Sequence, residues 1–159
     1  MTPRIIVDAD ACPVKQVIER AAARHGVAVL MVTATAMRRE APGVEVVRVT
    51  AGPDAVDDWI VAACRAGDIV VTQDIPLAAA VIRQGAVVIE NRGEVLDSKN
   101  IGERLAMRDL VMGLRDAGVL DQGSGGPRPM RPRDHDRFAR ALGRLLDRVR
   151  SIPNQALDT

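Results

Sequence analysis
The sequence predicts an α/β fold: a mostly parallel sheet of about five strands with helices on both faces, followed by further helices at the C-terminal end. Two observations carry that expectation. Apolar runs of strand length alternate with helix-length segments through residues 4–90, the rhythm of repeated βαβ units. Gly or Pro stands at almost every junction, where the chain needs a stop or a fixed φ. A third observation bears on function. Two of the apolar runs lead into carboxylates, at the sheet edge where open α/β folds bind ligands.

The elements follow in order. Residues 4–8 read as a buried strand built on Ile5-Ile6-Val7. Pro13 is placed to open a helix, where its missing N–H costs nothing, and Gly26 stops that helix after His25. Val27–Thr33 is a second apolar strand, residues 34–43 a polar loop, and Val44–Val49 a third strand. Gly52-Pro53-Asp54 starts a helix that Gly67 ends, and Asp68–Thr72 is a fourth strand. Pro76–Gln84 is a helix closed by Gly85, and Ala86–Glu90 a fifth strand. A turn-rich loop at Asn91–Glu94 precedes a helix over residues 100–118, for which Asn100 and Glu103 have the spacing of a capping box. A Gly/Pro loop spans Gln122–Pro132. In the last helix, about Asp134–Arg150, Phe138, Leu142, Leu145, Leu146 and Val149 share one face and Arg137, Arg140, Arg144 and Arg148 the other. Residues 1–150 form one predicted domain and residues 151–159 a flexible tail.

Composition narrows the class. A chain of 159 residues with 47% hydrophobic content can bury its own core and is not disordered by composition. Phe138 and Trp59 are its only aromatic residues, which argues against base-stacking platforms of the kind that read RNA. Basic charge is uneven: residues 128–150 hold eight Arg and three Asp, and Lys occurs only at positions 15 and 99. Cys12 and Cys64 have neither metal-ligand spacing nor a disulfide framework, and read as reduced thiols of a cytoplasmic protein. Asp8 and Asp10 interrupt the first apolar run, so it does not read as a signal peptide, and no run is long enough to span a membrane.

The acids are the chemical signal. Asp8 and Asp10 follow the first strand, Asp57 and Asp58 lie in the first turns of a helix, and Asp74 follows the fourth strand. Carboxylates converging from neighbouring strand ends suit a hard divalent cation such as Mg²⁺ or Mn²⁺. Each acid also has a plainer reading. Acids near a helix start interact well with its dipole, and Asp74 can cap the helix that begins near Pro76.

Asp57-Asp58-Trp59-Ile60, followed by Gly67-Asp68-Ile69-Val70-Val71-Thr72-Gln73-Asp74-Ile75-Pro76-Leu77-Ala78, resembles the pattern of PIN and 5′-nuclease domains, a helical acid and then a strand ending in Thr-x-Asp-x-x-Leu. Val7-Asp8-Ala9-Asp10-Ala11-Cys12-Pro13, Asn100-Ile101-Gly102-Glu103-Arg104-Leu105-Ala106-Met107-Arg108-Asp109 and Gly125-Gly126-Pro127 extend the likeness. Through most of residues 4–148 the chain resembles the YaiI/YqxD-like family of bacterial proteins. The resemblance implies a PIN-like fold and a metal-dependent nuclease activity. It makes Asp8 the first-strand metal ligand, Asp57 or Asp58 the helical ligand, and Asp74 the ligand after the fourth strand. Two departures stand out: flap-type nucleases carry an acid where this chain has Ala55, and often another where it has Pro76. Two-metal catalysis needs carboxylates enough for ions about 3.5–4 Å apart, and Asp10 is the residue available to make up the set.

Expected catalytic residues are therefore Asp8, Asp10, Asp58 and Asp74, with all five acids as metal ligands. Around them, Lys15, Asn91, Arg92, Arg104 and Arg108 are the expected contacts to substrate phosphates in RNA or DNA. Arg104 and Arg108, four apart, share a helix face that paired acids can equally neutralise. Two other functions fit parts of the sequence. Asp8-Ala9-Asp10 has the Asp-x-Asp spacing of haloacid-dehalogenase-like phosphatases, with Ala11-Cys12 where they carry Gly-Thr or Gly-Val. A catalytically degenerate PIN-like module binding nucleic acid or protein fits Ala55 and Pro76.

Overall fold
Parallel strands covered on both faces read as continuous Ile/Val runs, and the first such run forms the centre of the sheet. The computed structural model describes residues 3–50, 52–121 and 128–151. In chain order the elements are β1 (Arg4–Asp8), α1 (Lys15–His25), β2 (Ala28–Thr33), β3 (Val44–Arg48), α2 (Ala55–Ala63) and β4 (Ile69–Val71). There follow α3 (Ile75–Arg83), β5 (Val87–Ile89), β6 (Val95–Leu96), α4 (Ile101–Asp116) and α5 (Pro132–Ser151). The sheet order is β3-β2-β1-β4-β5-β6. All neighbours pair in parallel except β6, which returns antiparallel beside β5 with Val88 opposite Leu96 and Ile89 opposite Val95.

Alternation along β1 sorts the two cores. Ile5 and Val7 pack with Val29, Met31, Ile69, Val71 and Ile89 beneath α1 and α5, where Ile18, Phe138, Leu142 and Leu146 are buried. Ile6, Val70 and Val88 face the other way, beneath α2 and α3, against Ile60, Leu77, Ala78 and Val81. Helices thus cover both faces. α4 packs beside α3 through Ile101 and Leu105, has no buried residue, and leaves Met107, Leu110 and Met112 exposed.

At the amino edge Asp68, 2% exposed, is fully engaged. Its Oδ2 accepts from Arg4 Nη2 at 2.8 Å and from the Arg65 N–H at 2.9 Å, and its Oδ1 accepts from the Arg4 N–H at 3.3 Å. Among the described residues no helix is long and apolar enough to cross a membrane.

The sheet has six strands rather than about five. The turn Asn91–Glu94 is a hairpin, closed by Gly93 N–H to Glu90 C=O and Glu90 N–H to Glu94 C=O, both 2.9 Å. Gly93 has φ +91°, and a Cβ there would meet the Arg137 carbonyl oxygen at 2.9 Å, so only glycine lets the hairpin sit so close to α5. The expected capping box does not form. Asn100 Oδ1 instead accepts from the Asp97 N–H and its Nδ2 donates to the Val95 carbonyl, both 2.9 Å, because the side chain closes the preceding turn first. Pro13 lies in a turn ahead of α1 rather than in its first turn. Val14 (φ −111°) caps the helix, and its carbonyl accepts the first helical bond, from Ile18, at 3.0 Å. Of the expected tail at 151–159, Ser151 ends α5 and the remaining residues, 152–159, lie outside the described residues, as do most of the Gly/Pro loop (122–127) and the Gly125-Gly126-Pro127 stretch.

Candidate functional site
The strand order reverses between β1 and β4, and in open α/β sheets the crevice beyond the carboxyl ends at such a point is where ligands bind. Asp8 ends β1 on the same face as Ile6, which turns it toward α2 and α3. Thr72, just after β4, donates its hydroxyl to Asp8 Oδ2 at 3.0 Å and accepts from the Asp74 N–H at 3.1 Å. One buried hydroxyl therefore fixes both acids across the switch point. Asp74 Oδ1 accepts from the Leu77 N–H at 3.0 Å, capping α3, with Pro76 in the first turn where no donor is missed. The Asp57 carboxyl, from α2, lies close enough to Asp74 to feel its charge.

Beside these residues an open cleft of about 730 Å³ is lined by Asp54, Asp57, Asp58, Gln73, Asp74 and Arg108, with Ile75, Pro76 and Leu77 on its apolar side. Arg108 is the one cation in that lining and reaches Asp109 only at 3.3 Å. Burial raises the Asp8 carboxyl, and Asp74 and Asp10 add to it against the Thr72 hydrogen bond. Asp57 is pushed up to about 6 by burial and then by the charges of Asp74 and Asp8. Negative charge is thus held here at a cost.

That cost has a pH signature. A carboxyl raised in the folded state binds its proton more tightly than in the unfolded chain, so its effect is nil below about pH 4 and fully unfavourable above about pH 6. Asp57→Asn, neutral throughout, should raise the melting temperature at pH 7.5 by on the order of 2–4 °C, after discounting for solvent screening, and leave it unchanged at pH 4. Equal melting temperatures at both pH values would show that Asp57 bears no such charge penalty.

Among the described residues no three of His, Cys, Asp or Glu are arranged to hold an ion by themselves. Mg²⁺ does not require that. It keeps several waters and is commonly bound by one or two carboxylates together with substrate phosphates. The Asp57–Asp74 pair meets that need with oxygen donors, and a cation beside it would relieve the repulsion that raises Asp57.

The structure brings Asp57, Asp58, Asp74 and Arg108 into the lining of one cleft; Asp8 is outside that lining but near enough for its charge to act on Asp57. It turns Asp10 elsewhere. Its Oδ1 accepts from the hydroxyls of Thr33 and Thr35, and its Oδ2 accepts from the Ala34 N–H at 2.9 Å. Burial works against these bonds, but together they hold the Asp10 carboxyl below its usual range. A carboxylate so tied secures the loop after β2 and is poorly suited to the acid/base role a dehalogenase-like mechanism asks of it.

Arg92 bridges Asp134 at 2.8 Å and the Arg128 carbonyl, tying the hairpin to the start of α5. Arg104 pairs with the buried Glu90 at 2.6 Å rather than with Glu103 on its own helix. Glu90 itself is raised by burial and by a hydrogen bond to Glu94, with Arg104 acting the other way. The Asn91 N–H donates to Gln73 Oε1 at 2.6 Å, a backbone tie that positions the cleft wall. Lys15 lies on the opposite face of the sheet, donating to the Cys12 carbonyl at 2.8 Å. Burial raises the Cys12 thiol, so it stays protonated and packs in the core.

Two cleft residues, Asp54 and Gln73, and Thr72 beside them escaped the sequence reading. Thr72 had a signal, as the Thr of Thr-x-Asp, where a hydroxyl two residues before an acid can accept that acid's N–H. Asp54 and Gln73 had none beyond adjacency.

The family model described as "Uncharacterized BCR, YaiI/YqxD family" matches residues 6–148. A UPF0178 protein of Cereibacter sphaeroides is 46% identical over 153 residues, covering 96% of this chain and 93% of that protein. One of Bradyrhizobium diazoefficiens is 46% identical over 147 residues (92% and 86%), and one of Geobacter sulfurreducens 46% over 149 residues (92% and 97%). No solved structure matches the chain.

Proposed function
The chain belongs to the YaiI/YqxD family, and we propose that it is a divalent-metal-dependent nuclease of the PIN-like class, hydrolysing phosphodiester bonds of RNA or DNA in the acidic cleft. One observation carries the reading. Asp8, Asp57 and Asp74 come from three separate elements around the sheet's switch point, where burial and then neighbouring negative charge raise the Asp8 and Asp57 carboxyls. Burying like charges together is unfavourable, and a site for a cation and a phosphate is the use that repays it.

In this reading Asp57 and Asp74 hold Mg²⁺ or Mn²⁺, with Asp58 at the cleft wall beside them. When bound, the ion supplies Lewis-acid stabilisation of the charge that develops on the phosphate. Arg108, opposite the acids, holds non-bridging phosphate oxygens with its planar fork. Asp8, fixed by Thr72, accepts a proton from the attacking water. The water oxygen bonds to phosphorus, the phosphorus–ester oxygen bond breaks, and the leaving sugar oxygen takes a proton from solvent.

The test is a panel of single- and double-stranded RNA and DNA incubated with Mn²⁺, with Mg²⁺ and with EDTA. The reading expects cleavage of at least one substrate with a metal and none with EDTA. A second reading has its own support, since among the described residues no three donors close on one point and Arg92 and Arg104 are paired internally. It is a degenerate PIN-like module that binds nucleic acid without cutting it. Binding indifferent to metal, with every substrate intact, would favour that module.

A further inference from the structure
A second cleft, of about 520 Å³, opens on the other face of the sheet between α1 and α5. Its lining includes Lys15, Arg20, Arg24 and Arg39, with His135 and a single carboxylate, Asp136. Two of the cations are engaged: Lys15 donates to the Cys12 carbonyl, and Arg39 pairs with Glu19. Arg20 and Arg24 are exposed and, among the described residues, have no ion-pair or hydrogen-bond partner. Four apart on α1, they share one helix face. Concentrating cations in a concave site without neutralising them is unfavourable unless an anion enters.

The shape of the patch selects among anions. From Lys15 to Arg24 the helix rises about 13 Å, several times the roughly 3.4 Å of helix axis that each phosphate of one duplex strand occupies. A single small phosphate would engage only one end of it. α5, the other wall of the cleft, also carries Arg133, Arg140 and Arg144, all exposed, outside the cleft lining itself. The α1 and α5 helices start at the same end, since Cys12 and Lys15 share the cleft with His135 while His25 meets Asp147 at 3.0 Å at the far end. That starting end is the β1–α1 loop, four residues beyond Asp8.

We propose that the α1–α5 cleft binds the phosphate backbone of a single nucleic-acid strand, anchoring it as it passes over the carboxyl edge toward the acidic cleft. The passage to the acidic cleft rests on the nuclease reading; the anchoring does not. Arg20 and Arg24 are the principal contacts, Lys15 and Arg39 set the local potential, and no base is read.

The experiment is fluorescence anisotropy with a short labelled single-stranded RNA in EDTA, so that neither metal nor cleavage enters. Wild type, Arg20→Ala/Arg24→Ala and Asp57→Asn/Asp74→Asn are compared, with circular dichroism confirming that each is folded. The arginine variant should lose roughly tenfold in affinity, and its log–log salt slope should shallow by about 1.4, the value for two lost single-strand phosphate contacts. The aspartate variant should bind at least as tightly as wild type. Unchanged affinity and slope in the arginine variant would overturn the proposal. So would displacement of the RNA by millimolar inorganic phosphate as complete as by unlabelled strand, which would make the cleft a site for one free phosphate. Failure of the nuclease reading appears separately, as intact substrates in the cleavage panel while this binding persists.

Discussion

On the proposed nuclease reading, Asp74→Asn should sharply reduce metal-dependent cleavage and leave the fold standing. Asparagine keeps the oxygen that caps α3 through the Leu77 N–H, so the helix start survives, while the charge facing Asp57 is lost. The rate should fall by roughly two to three orders of magnitude, the scale of removing a group that stabilises charge in the transition state. The melting temperature should stay level or rise, because a repelling carboxylate has gone. Asp8→Asn should behave alike in activity, since its Oδ2 bond from Thr72 can persist with the amide oxygen in that place. Cleavage undiminished in both variants would assign the activity to another site or to a contaminating enzyme.

The largest effect on stability falls at Phe138. It is the chain's only phenylalanine, is 0% exposed, and packs under α5 among the residues that join α1 to the sheet. Phe138→Ala leaves a cavity in a core otherwise made of aliphatic side chains and should cost about 3–5 kcal/mol. Urea denaturation reads this as a lower midpoint at an unchanged slope. Because α5 forms one wall of the basic cleft, strand binding should weaken together with stability, while the Asp57–Asp74 pair on the opposite face is less disturbed. A loss below about 1 kcal/mol would mean that α5 is held by its rim contacts, such as Arg92 with Asp134, rather than by its buried face.

The alternation of strands and helices is legible in the sequence because strands buried on both faces must be apolar throughout, and Ile5-Ile6-Val7 and Ile69-Val70-Val71 are. β6 was not legible. Two residues carry no periodicity, and only pairing with β5 defines them. The acidic site was legible in part for the same topological reason: residues that follow parallel strands gather at one edge. Which acids use that edge depends on partners distant in sequence.

Asp10 is taken by Thr33 and Thr35, 23 and 25 residues on, because β2 pairs beside β1. Arg92 finds Asp134, 42 residues away, and Arg104 finds Glu90 across 14 residues. Local spacing sees none of these, and each gives an expected ligand or phosphate contact an internal partner. The basic cleft was hidden likewise. Its α1 wall and its α5 wall are separated by most of the chain, and the α5 residues that line it, His135, Asp136 and Ala139, are not those of the arginine stripe.

Titration of wild type and Asp57→Asn/Asp74→Asn with Mn²⁺ at neutral pH, followed by electron paramagnetic resonance of the free ion, asks whether the carboxyl edge holds a cation. Wild type should bind Mn²⁺ saturably where the double variant does not, and the wild-type site should tighten when single-stranded RNA is added in the cold. Equal Mn²⁺ uptake by both chains, or none by wild type even with RNA present, would contradict a cation site at the carboxyl edge and leave the cleft to metal-independent binding.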